Sequence, residues 1–187
     1  GLGDVYKRQV LIPQPTSFHC PMRKEQVKWE ESDVFNPAAT VKDGKIVVLY
    51  RAEDNSAQGI GKRTSRIGYA ESADGVTMKR LDSPVLFPGG DEFESIECPG
   101  GCEDPRVAMT EDGLYVMLYT AWNRKTPRLA VATSKDLKNW TKHGLAFEKA
   151  YDGRFARIAT KSASILTKVK GGKLVIDKVD GKYFMYW

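Results

Sequence analysis

Two histidines, three cysteines, no long apolar run and almost no helical periodicity mark this 187-residue sequence. Each shortage excludes something. Cys20, Cys98 and Cys102 cannot make an even disulfide framework, so free thiols are expected. Only Pro-Gly-Gly separates Cys98 from Cys102, and His19 and His143 stand far away in the chain. That is too few ligands for a metal site, and neither a metal nor an organic cofactor is expected. No stretch approaches the ~20 apolar residues of a membrane helix, so no membrane partner is expected. The net charge is +5 and the pI about 9.0, yet lysine and arginine are scattered among aspartate and glutamate. Nucleic acid asks for a basic stripe interleaved with aromatics, and the densest basic run is only Lys168-Val169-Lys170. Glycine, proline and β-branched residues interrupt every 3.6-residue pattern, which argues for an all-β chain.

What is present is a repeat. Residues 1–9 have no apolar core of a signal peptide and fit nothing that follows, so they read as a non-native tag or artefact. Pro13, Pro15 and Pro21 break residues 10–33 into an irregular arm. From Asn36-Pro37 the pattern becomes regular: Ala38 to Val41, a turn at Asp43-Gly44, then Lys45 to Tyr50. Asp-Gly between apolar runs is a strong hairpin signal. A third strand, Ile67 to Ser72, and a fourth near Thr77 to Leu81 complete the unit. The unit returns with Asp104-Pro105, the turn at Asp112-Gly113, Leu114 to Tyr119, Leu129 to Ser134 and Trp140. A third copy starts near Lys161-Ser162-Ala163 and turns at Asp180-Gly181. The Asp-Gly turns begin at 43, 112 and 180, intervals of 69 and 68. Four strands per unit at that period imply propeller blades, and residues 34–187 hold roughly two and a half of them. The expectation is an N-terminal fragment of a larger propeller, truncated at its C-terminus. Tyr50, Tyr119 and Tyr186 recur at matching positions and read as packing residues.

The chemistry concentrates in Gly100-Gly101-Cys102-Glu103-Asp104-Pro105-Arg106, where a loop enters a strand. Pro105 predicts an extended entry at Asp104. Alternation along a strand then predicts that Glu103 and Asp104 face opposite sides. The plainer reading is a structural ion pair of Asp104 with Arg106. The first strand of each blade lines a central channel, so Asn36, Asp104 and Lys161-Ser162 are expected round one funnel. Arg51, Glu53-Asp54 and Trp122-Asn123 are expected nearby. Carboxylates, an amide, an arginine fork and aromatic faces suit a sugar.

VFNPAATVKDGKIVVLYRAED, SRIGYAESADGV, GGCEDPRV with LYVMLYTAWN, and LAVATSKDLKNW resemble glycoside hydrolase family 130, from about Val34 to Trp187. The resemblance implies a five-bladed propeller acting on manno-oligosaccharides. It implies Asp104 as general acid, in some members through the mannose 3-hydroxyl, and Asn36 and Arg51 as contacts of the mannosyl residue. Arg66 and Lys161 are further implied substrate-binding residues. The ending Met185-Tyr186-Trp187 looks like the hydrolase branch, which makes an inverting hydrolase of β-1,2-mannosides the leading expectation. The alternatives are a phosphorylase using inorganic phosphate as co-substrate and releasing mannose 1-phosphate, or a non-catalytic sugar-binding propeller. Asn36 stands where a glycosidase with three blade-start carboxylates would want aspartate. Compartment and a homo-oligomeric state are left open.

Overall fold

The computed structural model describes residues 9–59 and 61–187, and within them the chain is all-β, its helix a single turn. Of the stretch read as non-native, residues 1–9, all but Gln9 lie outside the described residues. The chain opens with β1 (Gln14–Cys20) and β2 (Glu25–Glu30), an antiparallel hairpin. This corrects the expectation of an irregular arm. Pro15 sits inside β1 because the sheet has two strands and its outer edge needs no donor.

Two four-stranded antiparallel meanders follow. The first is β3 (Asp33–Lys42), β4 (Lys45–Glu53), β5 (Ser65–Ser72) and β6 (Lys79–Arg80). A single-turn helix, α1 (Glu94–Glu97), leads to the second. That meander is β7 (Gly101–Met109), β8 (Tyr115–Trp122), β9 (Pro127–Ser134) and β10 (Thr141–Leu145). Turn chemistry explains the hairpins: Asp43 and Gly44 both adopt positive φ, 50° and 74°. At the second turn Gly113 alone does so, at 88°, in a loop closed by Thr110 and Leu114.

The third repeat is more divided than expected. β11 (Ser164–Ile165) pairs with β16 (Met185–Tyr186), and β14 (Lys178–Val179) pairs with β15 (Lys182–Tyr183) across the Asp180-Gly181 turn. Between them an inserted hairpin, β12 (Thr167–Lys170) and β13 (Lys173–Ile176), turns at Gly171-Gly172. Val175 bridges to Met109 of β7. Tyr186 is 73% exposed, so the packing role expected for it is not seen.

The layers stack face to face. Val47 and Leu49 of β4 join Ile67, Met117 and Tyr119 in the core between the meanders. Tyr50 and Ala52, on the other face of β4, pack on Phe18 and Trp29 of the hairpin. Leu118 and Leu129 meet Ala163 and the third repeat. Strand β4 is thus covered on both faces, which is why it reads as a continuous apolar run rather than an alternation. Each buried large side chain contributes about 1.5–3 kcal/mol relative to exposure. The meanders touch in sheet register at one point, Ser65 against Gly101. Among the described residues no ladder closes the sheets into a ring.

Candidate functional site

The site begins with two matching bulges. Register slips between Phe35 and Ala38 in β3 and between Glu103 and Arg106 in β7. Asn36 and Asp104 occupy these bulges with φ of 44° and 50°. The expected extended entry at Asp104 is therefore corrected: the residue is left-handed despite the proline after it. Asparagine and aspartate tolerate that region better than other side chains, and holding it costs on the order of 1–3 kcal/mol. The bulge also breaks the alternation of the strand. Glu103 and Asp104 both reach Arg51, so the expectation that they face opposite sides fails for a definite local reason.

The bulges bring the two units together. Asn36 Nδ2 donates to Asp104 Oδ1 at 2.8 Å, and Arg51 Nη1 donates to the same oxygen at 3.1 Å. Among the described residues no donor reaches Asp104 Oδ2. One carboxyl oxygen is held by two donors and the other by none among the described residues. Arg106 instead donates to the Pro105 carbonyl, so Asp104 pairs with Arg51 rather than with its sequence neighbour.

Arg51 is the hub. Its Nη2 donates to Glu53 Oε1 at 2.6 Å and Glu103 Oε1 at 2.9 Å, and its Nε to Ser65 Oγ at 3.1 Å. The guanidinium lies 4.6 Å from the Phe35 ring centre. Arg51 is 6% exposed, Glu53 4%, Glu103 8% and Asp104 8%. Burial works against the Arg51 charge, but Glu103, Glu53 and Asp104 outweigh it and hold its pKa above the ordinary value. Burial pushes the Glu103 carboxyl up to about 7, with Arg51 and Lys161 opposing and Asp104 and Glu53 adding to the rise. Lys161 is exposed, on the segment before β11, close enough for its charge to reach Glu103.

A buried frame stands behind each unit. In the first, Glu30 accepts hydrogen bonds from Tyr50 Oη and Arg80 Nη1, both at 2.8 Å. In the second, Glu97 accepts from Tyr119 Oη at 2.7 Å and Lys142 Nζ at 2.5 Å. Each set ties the segment before a meander to that meander's second and fourth strands. Both glutamates have no exposed surface. Gly101 admits the close approach of the two units, and Gly100 the packing of Trp122 within the second. A Cβ at Gly101 would lie 2.0 Å from the Ser65 carbonyl oxygen, and one at Gly100 would lie 2.2 Å from the Trp122 ring.

Not every residue singled out by sequence joins this cluster. Arg66 is fully buried, donates to Asp54 Oδ2 at 2.9 Å and stacks over Phe18, between the hairpin and β5. That places it in the core, away from Asp104, and corrects its reading as a substrate contact. Trp122 donates to the Gly61 carbonyl, and Asn123 to Ser95. Ser65 was not foreseen. Its only sequence signal is its place at the start of a strand, opposite a glycine it cannot be seen to meet. Cys20, Cys98 and Cys102 are free thiols. The guanidinium, a fixed cation, occupies the space between the three carboxylates.

The family model for glycoside hydrolase family 130, described as β-1,4-mannooligosaccharide phosphorylase, matches residues 7–187. A 1,2-β-oligomannan phosphorylase of Thermoanaerobacter sp. (strain X514) is 34% identical over 88% of this chain and 49% of its own length. A β-1,2-mannobiose phosphorylase of the same strain is 31% identical over 85% of this chain and 48% of its own length. One solved structure is 62% identical with a TM-score of 0.93, over 95% of this chain and 50% of that one. It is described with the statement that the GH130 family of mannoside phosphorylases contains glycoside hydrolases that target β-1,2 mannosidic linkages in Candida mannan. The chain spans about half the length of the curated relatives it matches.

Proposed function

The chain belongs to glycoside hydrolase family 130, and from that premise we propose that it supplies the acid side of a site that cleaves β-mannosides. The observation that carries this reading is the unequal pair of oxygens on Asp104. Oδ1 is fixed by Asn36 and Arg51, and Oδ2 is left to hold and deliver a proton. Asp104 is the general acid for the departing glycosidic oxygen. Asn36 and Arg51 orient it and reach the mannosyl residue, and Lys161 lies at the rim. The whole protein is a five-bladed propeller, to which residues 34–187 give about two and a half blades.

The nucleophile is inorganic phosphate in the reading that the relatives back. The family description and both curated relatives name phosphorylases, and this favours the alternative over the hydrolysis that the chain's last residues suggested. Phosphate attacks the anomeric carbon from the face opposite the leaving group. The glycosidic bond breaks, the proton of Asp104 goes to the leaving oxygen, and mannose 1-phosphate is released. No general base is needed.

A second reading, hydrolysis, has its own support. The 62% identical structure is described with glycoside hydrolases, and Trp187 stands where family phosphorylases resemble one another in carrying histidine. An inverting hydrolase needs a second carboxylate about 6.5–9.5 Å from the acid to activate water. Glu53 and Glu103 are both engaged by Arg51 and are poor candidates.

The deciding experiment incubates the protein with β-1,2- and β-1,4-mannobiose, each with and without phosphate, and separates the products. Mannose 1-phosphate formed only with phosphate is the expected result. Free mannose regardless of phosphate would establish the second reading, and no cleavage of either disaccharide would overturn both.

A further inference from the structure

Glu53 and Glu103 come from different meanders yet present the same atom to the same donors. Arg51 Nη2 reaches Oε1 of both, and Ser65 Oγ lies 3.1 Å from Glu53 Oε1 and 3.4 Å from Glu103 Oε1. Ser65 accepts from Arg51 Nε and has one proton to give, so it cannot satisfy both carboxylates at once. With Asp104 on Nη1, three buried carboxyls share one guanidinium. Among the described residues the only other cations on them are Arg63, whose Nη1 is 3.7 Å from Glu53 Oε2, and Lys161, exposed near Glu103. Full ionisation would leave uncompensated negative charge out of contact with water. Carboxyls that share one site in this way favour a bound proton over full ionisation.

We propose that Glu53 and Glu103 are a proton-sharing pair that positions Arg51 and sets how much negative charge faces Asp104. This rests on the reading of Asp104 as the acid. The groups facing the pair are Arg51 on β4, Ser65 on β5, Asp104 on β7, Arg63 in the loop before β5, and Lys161 before β11. The pair is a positioning device, because its contacts run through Arg51. While it holds its proton, Arg51 is shared with one fewer full negative charge. Once it ionises, Arg51 is shared among three full negative charges. Burial of Glu103 puts that change near neutrality, at about 7.

The test is a carboxyl titration of the chain labelled with ¹³C at the glutamate side-chain carboxyls, followed by NMR from about pH 4 to about pH 9. One glutamate resonance should titrate near neutrality and vanish in Glu103→Gln. In Glu53→Gln it should move toward the ordinary carboxylate range, so that variant keeps the test usable if Glu103→Gln does not fold. If every glutamate titrates below about pH 5.5, or if the neutral midpoint survives both substitutions, the pair does not exist. The positioning role is read from the pH dependence of mannobiose cleavage. The relative profiles of wild type and Glu103→Gln should agree below neutrality and part above it, where the wild-type pair ionises and the variant has no charge to gain. Profiles of the same shape throughout would overturn that role. Absence of cleavage in the wild type would sink the proposed function, while the NMR would still decide the pair.

Discussion

Asn36 and Asp104 stand 68 residues apart at the same bulge of two sheets built alike, and one is an amide while the other is an acid. The likeness extends through both meanders. Glu30, Tyr50 and Arg80 in the first correspond to Glu97, Tyr119 and Lys142 in the second. The differences collect at the bulge and across from it. Phe35 faces Arg51 in the first unit, and Glu103 faces Thr120 in the second. Arg51 binds three carboxylates, whereas the hydroxyl of Thr120 is buried without a partner among the described residues. The repeat thus separates frame from chemistry. Buried glutamate, tyrosine and cation set the sheets. The bulge residue and the one opposite are free to differ, and their difference assembles one asymmetric site from two similar halves.

That comparison can be broken by making the halves alike. Arg51→Thr gives the first unit the residue of the second and strands Glu53, Glu103 and Asp104 without their shared cation. Unfolding in urea should show a loss of about 3–5 kcal/mol. A loss under about 1 kcal/mol would mean the carboxyls are solvated or neutral without it.

The pH response sharpens the same point. The folded-state pKa of Glu103, about 7, lies above its ordinary 4.5. A raised acid stabilises the fold fully below its unfolded value, and that contribution is lost as pH rises from 4.5 toward 7. Stability should therefore fall across this window by up to about 1.4 kcal/mol per pH unit, and the slope should flatten in Glu103→Gln. The first unit has phenylalanine at the matching place and adds no such slope. Melting temperatures measured between the two pH values check this.

Tyr50→Phe and Tyr119→Phe test whether the frames are equivalent. Each removes one donor to a buried glutamate that keeps its cation, so each should cost about 1–2 kcal/mol, alike within error. A much larger loss in one would show that the units carry unequal loads. The smallest effect belongs to the surface. The Lys45–Glu71 pair, 2.6 Å apart at an exposed edge, should contribute under about 1 kcal/mol when Lys45 is replaced by alanine.

Much of this frame was legible in the sequence because its signals are local. The Asp-Gly turns and apolar runs placed β3 to β5 and β7 to β9, and three residues singled out by sequence, Asn36, Arg51 and Asp104, meet in one hydrogen-bonded cluster. What escaped was set by geometry beyond the neighbouring residue. Pro15 suggested an irregular arm, since nothing local says that its strand is an edge. The bulge in β7 broke the alternation of Glu103 and Asp104, and no composition signals a bulge after a proline rule has predicted extension. Arg66 looked like a sugar contact until Asp54 and Phe18 were seen to enclose it. The Gly171-Gly172 turn did carry a hairpin signal, between Thr167–Lys170 and Lys173–Ile176, and the 68-residue period masked it.

The most direct measurement is turnover of β-1,2-mannobiose by Asp104→Asn beside the wild type, with circular dichroism confirming the fold. The substitution makes the second bulge carry the residue of the first, and keeps the contact with Arg51 while removing the acid. The account predicts a loss of about 10²–10⁴-fold. Turnover within twofold of the wild type would contradict it, and would leave the cluster as a structural joint between two sheets.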